Sequence, residues 1–187
     1  MSSKPGQGKP EPKTPQPVSA AAAPPPELLE LVEQLPLWRR PGYLIRRLHQ
    51  LHYAIFFEEC TGFDITPVQY GLLTILSTNP GCDQITIASH LGIDRTNVAD
   101  VLARLSHAGL VKRERSQTDR RAMVACLTPE GEEVLRRMHP AMARAQERLL
   151  ETLTPERREL FLETLVGLID ANNKYGRAAL SSAHTGA

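Results

Sequence analysis

The stretch Gln84–Leu127 constrains the fold of this chain more than any other. It begins with a short segment in which Ile85, Ala88 and Leu91 are spaced for the buried side of a helix. Gly92 follows at a point where a tight reversal needs a positive φ. A longer helical segment and two extended arms around a charged tip come next. This order, helix, turn, helix and hairpin, is the one that places a helix in the major groove of DNA and a hairpin beside it.

The second helix of this stretch has a buried side and a polar side. Asp94 is suited to cap its first turn because a carboxylate accepts a free backbone N–H there. The apolar positions expected to be buried are Val98, Val101, Leu102 and Leu105. The side chains expected to face outward are Arg95, Thr96, Asn97, Asp100 and Arg104. Most of these can contact base edges or phosphates, whereas Asp100 repels phosphate unless Arg104, four residues on, pairs with it.

Two β arms are predicted around a tip that lacks large apolar side chains, at residues 116–121. The segment Lys112–Arg121 carries five basic and two acidic residues, a net charge of +3. A solvated charged hairpin is the alternative interpretation. Beside a helix-turn-helix, contact with DNA phosphates is favoured.

The tip Thr118–Arg121 and the following Leu127–Gly131, with the sequence LTPEG, resemble the winged helix of MarR-type transcriptional regulators, and the resemblance extends over roughly residues 40–173. It implies a mainly α fold with a winged helix-turn-helix, a small β-hairpin wing and a helical dimerisation region formed by the N- and C-terminal helices. It also implies a homodimer on a pseudo-palindromic operator, usually repressing and usually released by a small ligand. In this pattern Asp119 orients Arg121 into the minor groove. The predicted DNA-binding residues are Arg95, Thr96, Asn97, Arg104, Arg113, Arg115, Asp119, Arg120 and Arg121.

The rest of the chain is predicted to be a disordered Pro/Ala-rich tail at 1–26, one domain at 27–175 and a flexible C-terminus at 176–187. Within the domain, 64–128 is the winged helix, and 27–62 and 130–175 are dimerisation helices. The terminal helices carry more apolar surface than one copy is expected to cover, which predicts a symmetric homodimer.

Local signals predict the individual helices. A short amphipathic helix is expected at 27–38, with Pro36 ending or bending it, and a longer one at 41–60. The expected core stripe of the longer helix is Leu44, Leu48, Leu51 and Ile55. Thr-Pro pairs at 66–67, 128–129 and 154–155 each predict the start of a further helix, and Gln69 completes a capping box with Thr66.

An effector site is predicted near the start of the helix at 41–60. A second row on that helix mixes a cation, an amide and two aromatic rings, and it follows an arginine-rich run at 38–47. The candidate ligand-binding residues are Arg40, Tyr43, Arg46, Gln50, Tyr53, Phe57 and Tyr70. An aromatic carboxylate suits such a wall. The arginine-rich run also resembles the start of MarR-type members that respond to aromatic acids or their coenzyme A thioesters, which implies an effector of the hydroxycinnamate or benzoate type, free or as the thioester. Dimer packing is the alternative, with the arginines pairing across the dimer with Glu33, Glu58 or Glu59.

Composition limits the other functions that this chain could have. The formal net charge is only +1, so DNA binding must come from a local patch. Three cysteines without metal spacing, no membrane-length apolar run and no catalytic motif predict a cytoplasmic protein with no cofactor, no metal and no enzymatic activity. Redox sensing through Cys60 is a weaker alternative because its neighbours are acidic. A DNA-binding protein without an effector and a winged helix that binds protein are the others.

Overall fold

The computed structural model describes residues 23–116 and 122–176. Contacts between residues divide the chain into two units, Met1–Leu44 and Ile45–Ala187. The first contains helix α1 (Pro26–Gln34), a 3-10 turn (Leu37–Arg39) and the start of helix α2 (Pro41–Glu59). After α2, the second unit contains α3 (Pro67–Thr78), β1 (Cys82–Asp83), α4 (Gln84–Leu91), α5 (Arg95–His107), β2 (Val111–Arg115), β3 (Met123–Leu127), α6 (Pro129–Leu150), α7 (Pro155–Asn172) and a 3-10 turn (Asn173–Tyr175).

The fold is mostly helical with one small antiparallel sheet, as predicted. The strand order is β1-β3-β2, and β2 and β3 form the expected hairpin, with Val111 opposite Leu127 and Arg115 opposite Met123. The third strand, β1, was not predicted. It is two residues long, too short to show the alternation by which a strand is recognised in a sequence.

Helix α3 is the centre of the second unit. The predicted capping box is confirmed: the Gln69 N–H donates to the Thr66 hydroxyl at 3.3 Å, and the Thr66 N–H donates to the Gln69 side-chain oxygen at 2.7 Å. The helix buries Tyr70, Leu72, Leu73 and Leu76. It contacts α4, α5, α6 and β3, so it positions both the helix-turn-helix and the wing.

The turn between α4 and α5 is built as predicted, but the buried side of α4 is not. Gly92 ends α4 with a φ of 66°, a conformation that glycine adopts at little cost. Ile87 and Ala88 are buried and Leu91 is partly buried, whereas Ile85 is 57% exposed. The prediction for Ile85 was wrong because α4 presents a face centred about a third of a turn away from this residue.

The predicted core stripe of α2 was also wrong in part. Leu44 and Leu51 are about half exposed, and Phe56 is the fully buried residue of the helix. Cys60, four residues after Phe56, is buried beside it in the core. The core therefore contacts a different side of α2 from the leucine stripe. Within the described residues, Leu44 and Leu51 of that stripe stay about half exposed.

The first unit begins with a shorter helix than predicted. Helix α1 ends at Gln34, and a 3-10 turn replaces its predicted last turn. Pro36 accounts for the break because it has no N–H to donate to the helix. None of the residues of α1 is buried, and Leu28, Leu31, Val32 and Leu35 are about half exposed.

The junction of α5, β2 and α6 explains the predicted LTPEG motif. The Thr128 hydroxyl donates to the Gly109 carbonyl at 2.7 Å and accepts from the Gly131 N–H at 3.0 Å. The Thr128 N–H donates to the Leu110 carbonyl at 3.1 Å. A methyl group on Gly131 would overlap that same carbonyl oxygen. Only glycine at this position lets α6 begin beside the Leu110 carbonyl, just before β2, without displacing that backbone.

Candidate nucleic-acid interface

The polar side of α5 is exposed, as the sequence predicts. Arg95, Thr96, Asn97 and Arg104 all face solvent. Asp94 caps the helix, and its two carboxylate oxygens accept from the Asn97 backbone N–H at 2.9 Å and from its side-chain amide at 3.0 Å. The amide of Asn97 is therefore held in one orientation before any DNA arrives, which favours a defined contact with a base edge.

Asp100 lies on the same exposed face of α5. The ion pairs between described residues do not include one that joins Asp100 to Arg104. The negative charge of Asp100 is therefore not offset by that pair.

Strand β2 presents its two arginines on one face. Residues at alternate positions of a strand point to the same side, so Arg113 and Arg115 lie on one face of β2, and Lys112 and Glu114 lie on the other. Lys112 and Glu114 form an ion pair at 3.3 Å, which compensates the charge of the lysine. The hairpin closes with a hydrogen bond from the Ser116 N–H to the Ala122 carbonyl at 2.9 Å. The predicted tip residues Asp119, Arg120 and Arg121 lie outside the described residues.

The structure brings Arg95 of the recognition helix and Arg113 of the hairpin to one cleft. This cleft of about 350 Å³ is hereafter the DNA-face cleft, and its lining residues are Asp83, Gln84, Ile85, Arg95, Arg113, Ala122 and Met123. Two guanidinium groups from separate elements on one surface form the local basic patch that the low overall charge requires.

Asp83 is one of the residues that line the DNA-face cleft. It caps α4 by accepting the Thr86 N–H at 2.8 Å. Hydrogen bonds from the backbone and hydroxyl of Thr86 lower the pKa of Asp83, and the charge of Arg95 lowers it further. Asp83, Ile85 and Met123 were not among the predicted site residues. The cap could have been recognised from an aspartate at the start of an apolar run.

The predicted ligand-binding residues occupy separate environments. The Arg40 side chain donates to the Leu35 carbonyl at 3.0 Å within the first unit, which also contains the half-buried Tyr43. In the second unit the Tyr53 ring packs against two others: it is tilted against His49, at 4.6 Å between ring centroids, and edge-to-face with Phe57, at 6.1 Å.

The remaining members of the set differ in exposure. Arg46 and Gln50 are exposed, and the side-chain oxygen of Gln50 accepts from Arg47 at 3.0 Å. Tyr70 is buried with its hydroxyl 3.4 Å from Nδ1 of His139. The predicted residues line neither the DNA-face cleft nor the cavity described below.

Two of the three glutamates named as alternative partners for the arginines, Glu58 and Glu59, are already engaged within this chain. Glu59 contacts Arg144 at 3.1 Å and Arg148 at 3.2 Å, and Glu58 contacts Arg148 at 2.7 Å. These pairs join α2 to α6. They lower the pKa of Glu59, chiefly through the hydrogen bond from Arg144.

A second cavity, of about 520 Å³, lies between the C-terminal half of α3, strand β3 and the N-terminal half of α6. We call it the wing cavity. Its apolar lining residues are Leu76, Pro80, Leu127, Leu135 and Pro140, and its polar ones are Ser77, Cys126, Glu132, Arg136 and His139. The wing cavity was not predicted because three elements distant in sequence form its walls. A largely apolar cavity of this volume with a few polar groups is suited to a small organic ligand.

Cys60 is poorly suited to redox sensing. Its side chain is 2% exposed, and burial, followed by the charge of Glu59, raises the pKa of its thiol. A reactive cysteine needs an accessible thiolate. The residues in 23–116 and 122–176 contain no group of three or more histidine, cysteine or acidic side chains placed to hold a metal ion. Within those same ranges no helix has the length and apolar character to cross a membrane.

Comparisons with known proteins agree with this architecture. The model of the MarR family matches residues 65–123. The transcriptional regulator HosA of Escherichia coli O111:H- is 31% identical over 127 residues, which cover 68% of this chain and 93% of HosA. The PcaV transcriptional regulator of Streptomyces coelicolor in complex with its natural ligand superposes with a TM-score of 0.69 at 34% identity, covering 73% of this chain and 96% of PcaV.

The transcriptional repressor CouR is similar in two complexes. Bound to a 23-mer DNA duplex it superposes with a TM-score of 0.67 at 34% identity, covering 71% of this chain and 94% of that one. Bound to p-coumaroyl-CoA it gives a TM-score of 0.65 at 32% identity, with 71% and 93% coverage. Because the fold, the exposed recognition helix and these similarities agree, this chain belongs to the MarR family of DNA-binding transcriptional regulators.

Proposed function

We propose that this chain is a homodimeric repressor that releases a pseudo-palindromic operator when it binds an aromatic carboxylate or its coenzyme A thioester. The observation that carries the DNA-binding part is the DNA-face cleft, where Arg95 of α5 and Arg113 of the hairpin meet. Cations from a recognition helix and a wing on one surface suit the backbone of a duplex, which supplies much of the binding free energy.

The proposed contacts divide into base readout and backbone contact. Arg95, Thr96, Asn97 and Arg104 enter the major groove, with Asn97 held in place by Asp94. Arg113 and Arg115 contact phosphates, and Arg120 and Arg121 of the tip extend the contact to the minor groove, with Asp119 orienting Arg121. Two copies related by a two-fold axis then contact half-sites about one helical turn apart.

The proposed dimer forms through the N- and C-terminal helices. MarR-family regulators are dimeric. Helices α1 and α7 have no buried residues, although both are rich in leucine. Apolar surface on this scale is normally covered by another protein surface. In the proposed dimer, the same helices of a second copy cover it.

The proposed effector follows from the relatives and from the two places in this chain that could bind it. PcaV has been crystallised with its natural ligand, and CouR with p-coumaroyl-CoA. One place is the predicted set around Arg46 and Tyr53. The other is the wing cavity, where His139 and Arg136 supply polar groups to a mostly apolar space. Because β3 forms one wall of that cavity, a ligand there would act directly on the hairpin.

Calorimetry with p-coumarate and benzoate, free and as coenzyme A thioesters, tests the effector. We expect at least one of these compounds to bind and to weaken the affinity for a duplex selected by this protein from a randomised pool. Arg46→Ala and Arg136→Ala form the matched pair, since each removes one exposed guanidinium. The variant that loses ligand binding while keeping DNA affinity identifies the site. Operator binding that none of these compounds changes would support an effector-independent DNA-binding protein instead.

The salt dependence of the affinity tests the DNA contact itself. Arg113→Ala should weaken binding to every duplex and reduce the slope of log K against log salt by about 1, because one phosphate contact is lost. If the unmodified chain had no salt-dependent affinity for any duplex, a winged helix used for protein binding would replace this proposal.

A further inference from the structure

Two exposed apolar side chains on the DNA-binding surface have no role in the contacts above. Ile85 is 57% exposed and Met123 is 42% exposed. Among the described residues between 64 and 127, these are the two large apolar side chains that are exposed. The other exposed large apolar residues lie on α1, α2, α7 and the 3-10 turns that follow α1 and α7, apart from Leu35, which directly follows α1. The proposed dimer therefore explains the exposed apolar side chains of the terminal helices, but it does not explain those of Ile85 and Met123.

Both side chains line the DNA-face cleft together with Arg95 and Arg113. An apolar pair flanked by two guanidinium groups matches the surface of a duplex, where phosphates alternate with the C–H surfaces of deoxyribose, and thymine presents a methyl group in the major groove. A purely apolar partner would instead desolvate two guanidinium groups, for which the lining of the cleft supplies one carboxylate, that of Asp83.

Asp83 holds Ile85 and Met123 in a fixed relation to each other. It caps α4 two residues before Ile85, through the 2.8 Å hydrogen bond from Thr86. In β1 it is also the register partner of Val124, the neighbour of Met123 on β3. On β3, Met123 lies opposite Arg115. Both apolar side chains therefore belong to elements that Asp83 joins, and both line the same cleft.

We propose that Ile85 and Met123 form an apolar clamp on operator DNA, packing against deoxyribose C–H groups or a thymine methyl between phosphates held by Arg95 and Arg113. This inference rests on the proposed DNA binding and adds a contact that is not electrostatic. Burial of apolar surface releases no counterions, so the clamp contributes affinity that does not depend on salt.

The test compares Ile85→Ser, Met123→Ser and the double variant with the unmodified chain. The probe is a duplex selected by the unmodified chain from a randomised pool, and the affinity is measured over a range of KCl concentrations. Each single variant should lose about tenfold in affinity at every salt concentration, with an unchanged salt slope. Ile85→Leu, which keeps the apolar surface, should retain affinity. Arg113→Ala is the matched control, since it should lower the slope.

Replacing thymine by deoxyuridine in the same duplex identifies the group that the clamp contacts. If a thymine methyl is contacted, the replacement weakens the unmodified chain and leaves the double variant unaffected. If deoxyribose is contacted, the replacement changes neither protein, and the losses caused by the serine variants persist. Both results support the clamp.

Three results would overturn the clamp. Serine variants that bind like the unmodified chain would assign the cleft to a partner other than DNA. A loss accompanied by a lower slope would make the effect electrostatic. Failure of Ile85→Leu to retain affinity would make Ile85 a structural residue. If the unmodified chain itself bound no duplex, the proposed DNA binding would fail first, which separates the two failures.

Discussion

Helices α3 and α7 begin with the same Thr-Pro pair and are both rich in leucine, yet they differ completely in burial. Helix α3 buries Tyr70, Leu72, Leu73 and Leu76. Helix α7 has no buried residue, and its Leu160 and Leu168 are 62% and 52% exposed. A local signal therefore determines where each helix begins, whereas its burial depends on which elements pack against it.

The difference begins at the caps themselves. The Thr66 hydroxyl accepts the Gln69 N–H and completes a capping box. The Thr154 hydroxyl accepts no backbone N–H of its helix. It bonds instead to the Glu156 carboxylate, whose pKa is lowered by its own backbone N–H and by this hydroxyl. Helix α3 is thus anchored within the core of this chain, while α7 keeps an apolar surface that fits the proposed dimer.

The largest effect is expected when charge is placed on that surface. The double variant Leu160→Arg, Leu168→Arg should dissociate the dimer, because two guanidinium groups cannot be buried without partners. Loss of the second half-site contact should weaken operator binding by about 10² to 10⁴-fold. Analytical ultracentrifugation measures the mass, and fluorescence anisotropy with a labelled operator measures the affinity.

Glu163→Arg is the matched control for that variant, since it adds a cation at an exposed polar position of the same helix. It should leave the protein dimeric. If the Leu160→Arg, Leu168→Arg protein also stayed dimeric at micromolar concentration, α7 would not form the dimer interface, and the contrast with α3 would need another explanation.

Much of the winged helix could be predicted because its signals are local. Gly92 marks the end of α4 through a positive φ, and Asp94 marks the start of the recognition helix α5 through side-chain capping; both signals depend on a few neighbouring residues. Strands β2 and β3 were predicted from two segments on either side of a tip that lacks large apolar side chains. The outward-facing residues of α5 followed from helical periodicity alone.

The errors occurred where packing selects among several possible faces. Helix α2 carries apolar residues on more than one side, and the side that contains Phe56 is the one that meets the core. Ile85 matched a buried spacing but faces solvent in the DNA-face cleft. The wing cavity is formed by α3, β3 and α6 together, so no single segment indicates it. These features depend on tertiary contacts, which periodicity does not specify.

A prediction of intermediate size distinguishes side chains that are buried within one copy of the chain from side chains that are buried between two copies. Leu72→Ala in α3 should lower the free energy of unfolding by about 2–5 kcal/mol, since Leu72 is fully buried and its truncation leaves a cavity. Leu160→Ala should act mainly through the dimer, so it should raise the dissociation constant of the folded dimer more than Leu72→Ala does. Urea unfolding gives the loss of stability, and analytical ultracentrifugation of the folded proteins gives the dissociation constant. An unchanged dissociation constant for Leu160→Ala would contradict the assignment of α7 to the interface.

The smallest effect compares the two caps directly. Thr66→Ala should lower the free energy of unfolding by about 1 kcal/mol, because the Gln69 N–H loses its acceptor at a half-buried helix start. Thr154→Ala should cost less, since the Thr154 hydroxyl accepts no N–H of its helix and contacts an exposed carboxylate. Thermal or urea unfolding of the two variants under identical conditions gives the difference. Thr66→Ser, which keeps the acceptor, should recover most of the loss. Were Thr154→Ala to cost as much as Thr66→Ala, the hydroxyls would stabilise both helix starts equally, and the anchoring of α3 would rest on packing alone.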